Sequence, residues 1–180
     1  MVMQQVKPAS EIQLIPFKEL APGQAGHIRN AIIRALVANA VFALKLTPDK
    51  LVVRDIRAKD DLDYTYEDWA EVTGATANAY ETMSTGTMAD QRWIGIFGVK
   101  VGLDCPITAI KFNIGGGDRA IWQLQCLTEE NGLTGFCPSG IIISQNAPYT
   151  ISRYTRYTYY PAHVVLKGVV VEPRGKVLSP

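Results

Sequence analysis

The sequence has no long hydrophobic run and no excess of either charge. Its 180 residues include 18 Lys or Arg and 17 Asp or Glu, so charge alone gives no reason to expect binding to nucleic acid or to a membrane. The most apolar run, residues 35–44, is about half as long as a bilayer-spanning helix requires. We therefore expect no transmembrane segment and no secretory signal at the N-terminus.

Residues that commonly hold metal ions or form disulfides are few. The three cysteines, Cys105, Cys126 and Cys137, are irregularly spaced and do not form the pattern of a disulfide framework. We expect them to be reduced and mostly buried, which suits folding in a cytoplasm. The two histidines, His27 and His163, are not part of any ligand pair at the spacing of a structural zinc site. The sequence thus predicts no metal and no cofactor.

Two further segments are weak candidates for chemistry. The glycines at 115–117 are followed by an aspartate and then a predicted strand, which indicates a hairpin turn rather than a phosphate loop before a helix. The carboxylates of segment 55–68 match no EF-hand loop. A solvated acidic loop is the favoured interpretation, while a calcium site and a pair of hydrolytic carboxylates remain open. No Gly-x-Ser-x-Gly nucleophile turn occurs, and we expect a protein that is not an enzyme.

The N-terminal quarter divides into an arm and a helix. Residues 1–20 mix apolar side chains with Pro8 and Pro16, which predicts an extended arm that packs on its own domain or reaches a neighbour. Residues 21–48 form the helical region, since apolar residues recur every three or four positions between 26 and 46. Pro48 ends the helix.

From residue 49 to residue 176 the apolar period changes to two, which is typical of strands. Strands are predicted at 51–56, 93–101, 107–114, 120–127, 141–143, 149–160 and 164–171, separated by turns rich in Gly, Asn and Pro. Segment 74–90, rich in Thr, Ala, Ser and Gly, is predicted to be a long exposed loop. The fold class that follows is mainly β: an antiparallel β-sandwich preceded by an arm and one α-helix, all in one folding unit.

Tyrosines and arginines concentrate between residues 149 and 160. Such a cluster suits sheet packing, a contact between subunits, or stacking on a ligand, and the three remain open. Subunit contacts are predicted at eight positions in the arm and in this cluster: Ile12, Leu14, Ile15, Phe17, Arg153, Tyr154, Arg156 and Tyr157.

Segments 140–143, 147–151 and 163–175 together resemble the closing strands of single jelly-roll capsid proteins of bacterial and archaeal viruses. The resemblance covers about half of the chain and is a pattern of strands and turns. It implies a virion structural protein, capsid or decoration subunit, whose partners are copies of itself and other virion proteins. It also implies assembly in the host cytoplasm. Because the arm is not strongly basic, direct sequence-specific binding of nucleic acid is not expected.

Two alternatives have other requirements. A carbohydrate-binding β-sandwich would need Trp69, Trp93, Trp122 or the tyrosines as exposed stacking platforms, and this interpretation fails if all three tryptophans are buried. An enzyme on a cupin-like jelly roll would need two or three histidines near a carboxylate, whereas this sequence has two histidines far apart.

Overall fold

A computed structural model describes residues 10–175 of the chain, so the predictions made for residues 1–9 and 176 lie outside the described residues. Two α-helices occur in this range, α1 at Gln24–Leu44 and α2 at Ala58–Leu62, with 3-10 turns at Phe17–Glu19 and Pro48–Lys50. The strands are β1 Ser10–Gln13, β2 Ile15–Pro16, β3 Leu51–Asp55, β4 Ala70–Val72, β5 Ala79–Thr87, β6 Trp93–Val101, β7 Ile107–Ile114, β8 Gly117–Gln123, β9 Thr134–Ile143, β10 Pro148–Thr155 and β11 Pro161–Pro173.

The strands form two sheets that face each other. Sheet A has the order β1-β8-β7-β10-β5, and sheet B has the order β2-β9-β6-β11-β3, with β4 also paired to β11. Without β1, β2 and β4, the order β5-β10-β7-β8 faces the order β3-β11-β6-β9, which is the arrangement of an eight-stranded jelly roll. The predicted fold class, a mainly β antiparallel sandwich behind an N-terminal segment and one main helix, is confirmed.

The described part of the arm pairs with the protein's own domain. β1 lies parallel to β8 in sheet A, and β2 lies antiparallel to β9 in sheet B. Leu14 lies between these two short strands and is 1% exposed. One segment therefore extends both sheets on the same side of the sandwich and inserts its apolar side chain between them.

Alternation in the strands places one row of side chains in the core between the sheets. On β7, Ile110 and Phe112 are fully buried, whereas Lys111 is partly exposed. Phe112 meets Trp122 of β8 edge to face, with ring centroids 4.7 Å apart, a favourable aromatic geometry. The hairpin joining these strands turns at Gly115 and Gly116, which have φ angles of 65° and 79°. These left-handed conformations suit glycine, and the predicted hairpin is confirmed.

Helix α1 covers the outer face of sheet B and forms a second core. Its buried stripe consists of Ile28, Ile32, Leu36 and Ala40, which pack with Trp93, Phe97, Val169 and Val171 of the sheet. A Cβ added to Gly95 would collide with the side chain of Ile32, so glycine permits the close approach of the helix. By length and composition alone α1 would pass as a membrane-crossing helix.

Several predicted boundaries were wrong; β9, for example, begins at Thr134 and not at residue 141. Segment 74–90 is not a single loop, because it contains β5, an edge strand whose outward positions are threonines and a tyrosine. Threonine is β-branched and favours extended backbone. The strand was nevertheless missed, because a polar edge strand has little of the apolar alternation from which strands are predicted. In addition, β8 ends at Gln123 and β10 ends at Thr155, so Arg156 and Tyr157 lie in a loop and not on a strand.

The acidic segment is not simply solvated, because Asp61 of α2 belongs to a buried ion network. Arg54 donates to both oxygens of Asp61 at 2.6 Å and to Glu172 at 2.9 Å. Arg92 donates to Glu172 at 2.8 Å and lies 3.3 Å from Asp61. Both carboxylates are 0% exposed. The hydrogen bond with Asp61 is the largest cause that raises the pKa of Arg54, so the Arg54 guanidinium stays charged.

Glu172→Gln should lower the free energy of unfolding by about 3–5 kcal/mol, because two guanidinium groups would then share one buried carboxylate. Urea denaturation measures the change. Asp60→Asn is the matched control, since the Asp60 side chain is 58% exposed in its pair with Arg57 and should change stability by less than about 0.5 kcal/mol. Equal effects of the two substitutions would show that the network does not stabilise the fold.

Candidate interaction surface at the loop end

Four connections meet at one end of the sandwich, which we call the loop end: residues 56–78, 102–106, 124–133 and 156–160. β8 and β10 run parallel to each other in sheet A, as do β3 and β6 in sheet B. Two of these connections lie side by side, because Arg156, directly after β10, donates its backbone N–H to the carbonyl of Pro106, directly before β7, at 3.1 Å. Some side chains of these connections, such as those of Leu62, Trp69 and Leu124, belong to the core, and the exposed ones are available for contacts.

Thr73, 1% exposed, organises the loop between β10 and β11. Its hydroxyl donates to the carbonyl of Tyr157 and accepts from the backbone N–H of Tyr160, both at 2.8 Å. Its backbone N–H donates to the carbonyl of Tyr160 at 2.9 Å, and its own carbonyl accepts from Tyr159 at 3.1 Å. One buried residue therefore holds three residues of the loop, Tyr157, Tyr159 and Tyr160, through hydrogen bonds.

The ordered loop presents an aromatic surface, the tyrosine patch, formed by Val72, Tyr157, Tyr159 and Tyr160. The exposed fractions of the tyrosines are 59%, 71% and 41%, and Val72 is 58% exposed. The rings of Tyr157 and Tyr160 are 6.0 Å apart, and Val72 pairs with Pro161 directly after them. Several exposed aromatic residues on one loop that is held by hydrogen bonds are typical of an interaction site.

A buried arginine, Arg153, forms a hydrogen bond with the backbone of one residue of the patch. Arg153, 6% exposed, donates to the carbonyl of Val72 at 3.2 Å and to Glu81 at 3.4 Å. Glu81 also accepts from the backbone N–H of Gly74 at 2.9 Å. Burial lowers the pKa of Arg153 and raises that of neighbouring Tyr64, because both charged forms lose solvation. These contacts connect β4 and its following turn to β5 and β10.

The structure does not gather the eight predicted contact residues into one surface. Leu14 and Arg153 are buried within the protomer, so their side chains are unavailable to a neighbour. Tyr154 lies on the outer face of sheet A, with its ring 5.2 Å from that of Tyr80.

Phe17 is 57% exposed and lies 6.2 Å from Phe136. Ile12 and Ile15 are partly buried in β1 and β2, while Arg156 and Tyr157 lie at the loop end. The contact role of these residues stays a prediction.

The predicted set left out Tyr159, Tyr160 and Val72. The sequence signal for the first two was available, since three tyrosines in four positions precede Pro161. Proline restricts the residue before it and often marks an element boundary. Val72 could not be found in this way, because it joins the patch only through pairing of β4 with β11.

The alternative based on tryptophan platforms is wrong. Trp69, Trp93 and Trp122 are 8%, 2% and 0% exposed, so none presents a ring face to a sugar. The histidines lie on different elements: His27 is exposed on α1, and His163 is the third residue of β11, with its Nε2 2.8 Å from the carbonyl oxygen of Asp68. Within residues 10–175, no group of three His, Cys, Asp or Glu side chains is placed to hold a metal ion.

Comparison with known proteins identifies no family for this chain. No protein-family model matches the chain, and no curated protein matches it. Among solved structures, a chain from the structure of infectious bursal disease virus, Gx strain, matches with 16% identity and a TM-score of 0.29. The match covers 71% of this chain, and this chain spans only 33% of that one. A TM-score this low carries no argument about what this chain does.

Thr73→Val should destabilise the protein by about 1–3 kcal/mol, because the carbonyl of Tyr157 and the N–H of Tyr160 lose a buried partner. Hydrogen exchange at the Tyr160 amide should become faster, as that N–H then lacks an acceptor. Thr65→Val, at an exposed position of the same end, should change neither quantity. Unaltered protection of the Tyr160 amide in Thr73→Val would contradict the organising role of Thr73.

Proposed function

We propose that this chain is a structural subunit of a virus particle, a capsid or capsid-decoration protein that associates with copies of itself and with other virion proteins. The proposal places it in the virion after assembly in the host cytoplasm, without catalytic activity and without direct sequence-specific contact with nucleic acid. The observation that carries it is the tyrosine patch, a rigid aromatic surface on a jelly roll.

The fold by itself does not select this function. Jelly rolls occur in viral capsids, lectins and cupins, and one fold hosts many activities. The choice therefore depends on surfaces. Tyrosine is enriched at the centres of protein–protein interfaces, where its ring is buried and its hydroxyl finds a partner. Three exposed tyrosines within four positions supply that chemistry in one place.

The edge of sheet A supports the same proposal. β5 is a nine-residue edge strand with neither lysine nor proline, the residues that commonly protect an edge from pairing. Its one charged residue, Glu81, pairs with Arg153. A bulge opposite Ile151 and Ser152 interrupts the edge, and the hydroxyl of Ser84 in β5 donates to the carbonyl of Leu62 in α2, so the connection from β3 approaches part of it. The rest of such an edge would allow continuation by another chain.

Repeated use of two different patches is what closed shells and rings require. Contact between a patch on one copy and a different surface on the next is head to tail, and such contacts generate rings or larger assemblies when the rotation closes. The tyrosine patch lies at the loop end, while helix α1 with Phe42, 88% exposed, lies over sheet B. These two surfaces are distinct, as a head-to-tail contact needs.

Sedimentation velocity over a wide concentration range tests the proposal. The wild-type chain should form discrete oligomers, and Tyr159→Ser should weaken association at least tenfold because it removes the most exposed ring of the patch. Tyr66→Ser is the control, since Tyr66 is also an exposed tyrosine, at 58%, but is not a patch residue. If the wild-type chain stayed monomeric at every concentration, this result would contradict the proposal. If both substitutions weakened the oligomers equally, the tyrosine patch would not be the contact surface.

A further inference from the structure

Helix α1 leaves an apolar surface exposed near its C-terminal end. Its buried stripe faces sheet B, yet residues of the last turns that lie outside this stripe are apolar as well. Phe42 is 88% exposed, Ala38 is exposed, and Val37 and Val41 are partly exposed. Residues three or four positions apart are neighbours on a helix, so these four side chains form one surface, which we call the helix-end surface. Contiguous exposed apolar surface is typical of an interaction site.

The helix-end surface lies at the end of the sandwich opposite the loop end. α1 ends at Leu44, and residues 45–50 connect it directly to the start of β3. The other end of β3, Asp55, leads into residues 56–78 of the loop end. Because β3 runs from one end of the sandwich to the other, the tyrosine patch of a chain cannot reach the helix-end surface of the same chain. Contact between the two surfaces therefore needs a second copy.

The loop end is acidic, although the whole chain has almost balanced charge. The sequence of its four connections contains nine acidic and three basic residues. The acidic ones are Asp60, Asp61, Asp63, Glu67, Asp68, Glu71, Asp104, Glu129 and Glu130, and the basic ones are Arg57, Lys59 and Arg156. Only Asp61 is neutralised in the buried network with Arg54 and Arg92. The tyrosine patch is thus surrounded in sequence by an excess of carboxylates.

The segment that carries the helix-end surface has the opposite charge. Residues 20–50 contain one acidic residue, Asp49, and four basic residues: Arg29, Arg34, Lys45 and Lys50. Arg29 is paired with Asp55 at 3.0 Å. Lys45 follows Phe42 by three positions and is exposed. Two copies of this surface would repel each other, whereas an acidic loop end would be attracted to it.

We propose that the tyrosine patch of one copy docks on the helix-end surface of the next, with the acidic loop end against the basic residues around Phe42. This inference rests on the proposed function and names the two surfaces that form its contact. Tyrosine rings supply apolar area for the helix and keep their hydroxyl groups in reach of polar partners. Each copy uses each surface once, so the contact is head to tail and builds rings or larger assemblies.

A mixing experiment distinguishes this contact from one between two tyrosine patches. Phe42→Ser lacks the helix-end surface and keeps the patch, whereas Tyr159→Ser lacks the patch and keeps the helix-end surface. In sedimentation velocity each variant alone should associate about tenfold more weakly than the wild-type chain. An equimolar mixture should form a heterodimer with the affinity of a wild-type contact, because each partner supplies the surface that the other lacks. Val53→Ser is the control, since Val53 is 39% exposed on β3 and its change should leave association unaltered.

A second measurement tests the opposite charges of the two surfaces. Lys45→Glu should slow association by about threefold, because a charge at the rim of an interface acts mainly on the association rate. Lys45→Arg keeps the charge and should associate at the wild-type rate. Added salt should slow the wild-type chain as well, since it screens exposed charges. Equal association rates for the two Lys45 variants would contradict the charge pairing.

Three further results would overturn the inference. Assembly of Phe42→Ser at wild-type strength is the first. The second is a mixture that stays monomeric although the wild-type chain assembles, in which case the proposed function stands without this contact. The third is flotation of the wild-type chain, but not of Phe42→Ser, with vesicles of phosphatidylcholine and phosphatidylserine, which would assign the helix-end surface to a membrane. Circular dichroism of each variant confirms folding. A wild-type chain that never assembles contradicts the proposed function itself, so the two failures are distinguishable.

Discussion

The structure depends on one constraint: sheet B is buried on both faces, against sheet A on one side and helix α1 on the other. An antiparallel sheet often has a solvated face, and its strands then alternate. In β11, by contrast, Val169, Val170 and Val171 are all 0% exposed, so the strand ends in a continuous apolar run. Glu172 follows this run with a fully buried side chain, and only the two arginines beside it make that position tolerable. The same constraint explains the apolar stripe of α1, whose buried residues Ile28, Ile32, Leu36 and Ala40 cover the outer face of the sheet.

Elements with strong periodicity could be predicted from the sequence. The alternation of Ile110, Lys111 and Phe112 indicated which face of β7 enters the core, and the structure agrees. The turn at Gly115 and Gly116 could be predicted because glycine tolerates positive φ at both positions. The buried stripe on α1 could be predicted because burial of one helix face leaves a period of 3.6 in the positions of the apolar residues.

The rest could not be predicted, because its residues act through partners distant in sequence. Asp61 looked like one member of a solvated charge run, and its burial depends on Arg54 and on Glu172, 111 positions away. Thr73 carries no motif, yet its hydroxyl and backbone hold a loop more than 80 positions further on. Strand β5 was missed because an edge strand with a polar outer face lacks apolar alternation. In each case the deciding interaction is tertiary, and composition alone predicts the opposite environment.

The order of the loop end comes from contacts between residues that are distant in sequence. Thr73 fixes the carbonyl of Tyr157 and the N–H of Tyr160, and Arg153 donates to the carbonyl of Val72. The exposed tyrosines therefore lie on a backbone that is already held by the protein's own hydrogen bonds. Association through such a loop costs less conformational entropy than association through a loop that has to become ordered on binding.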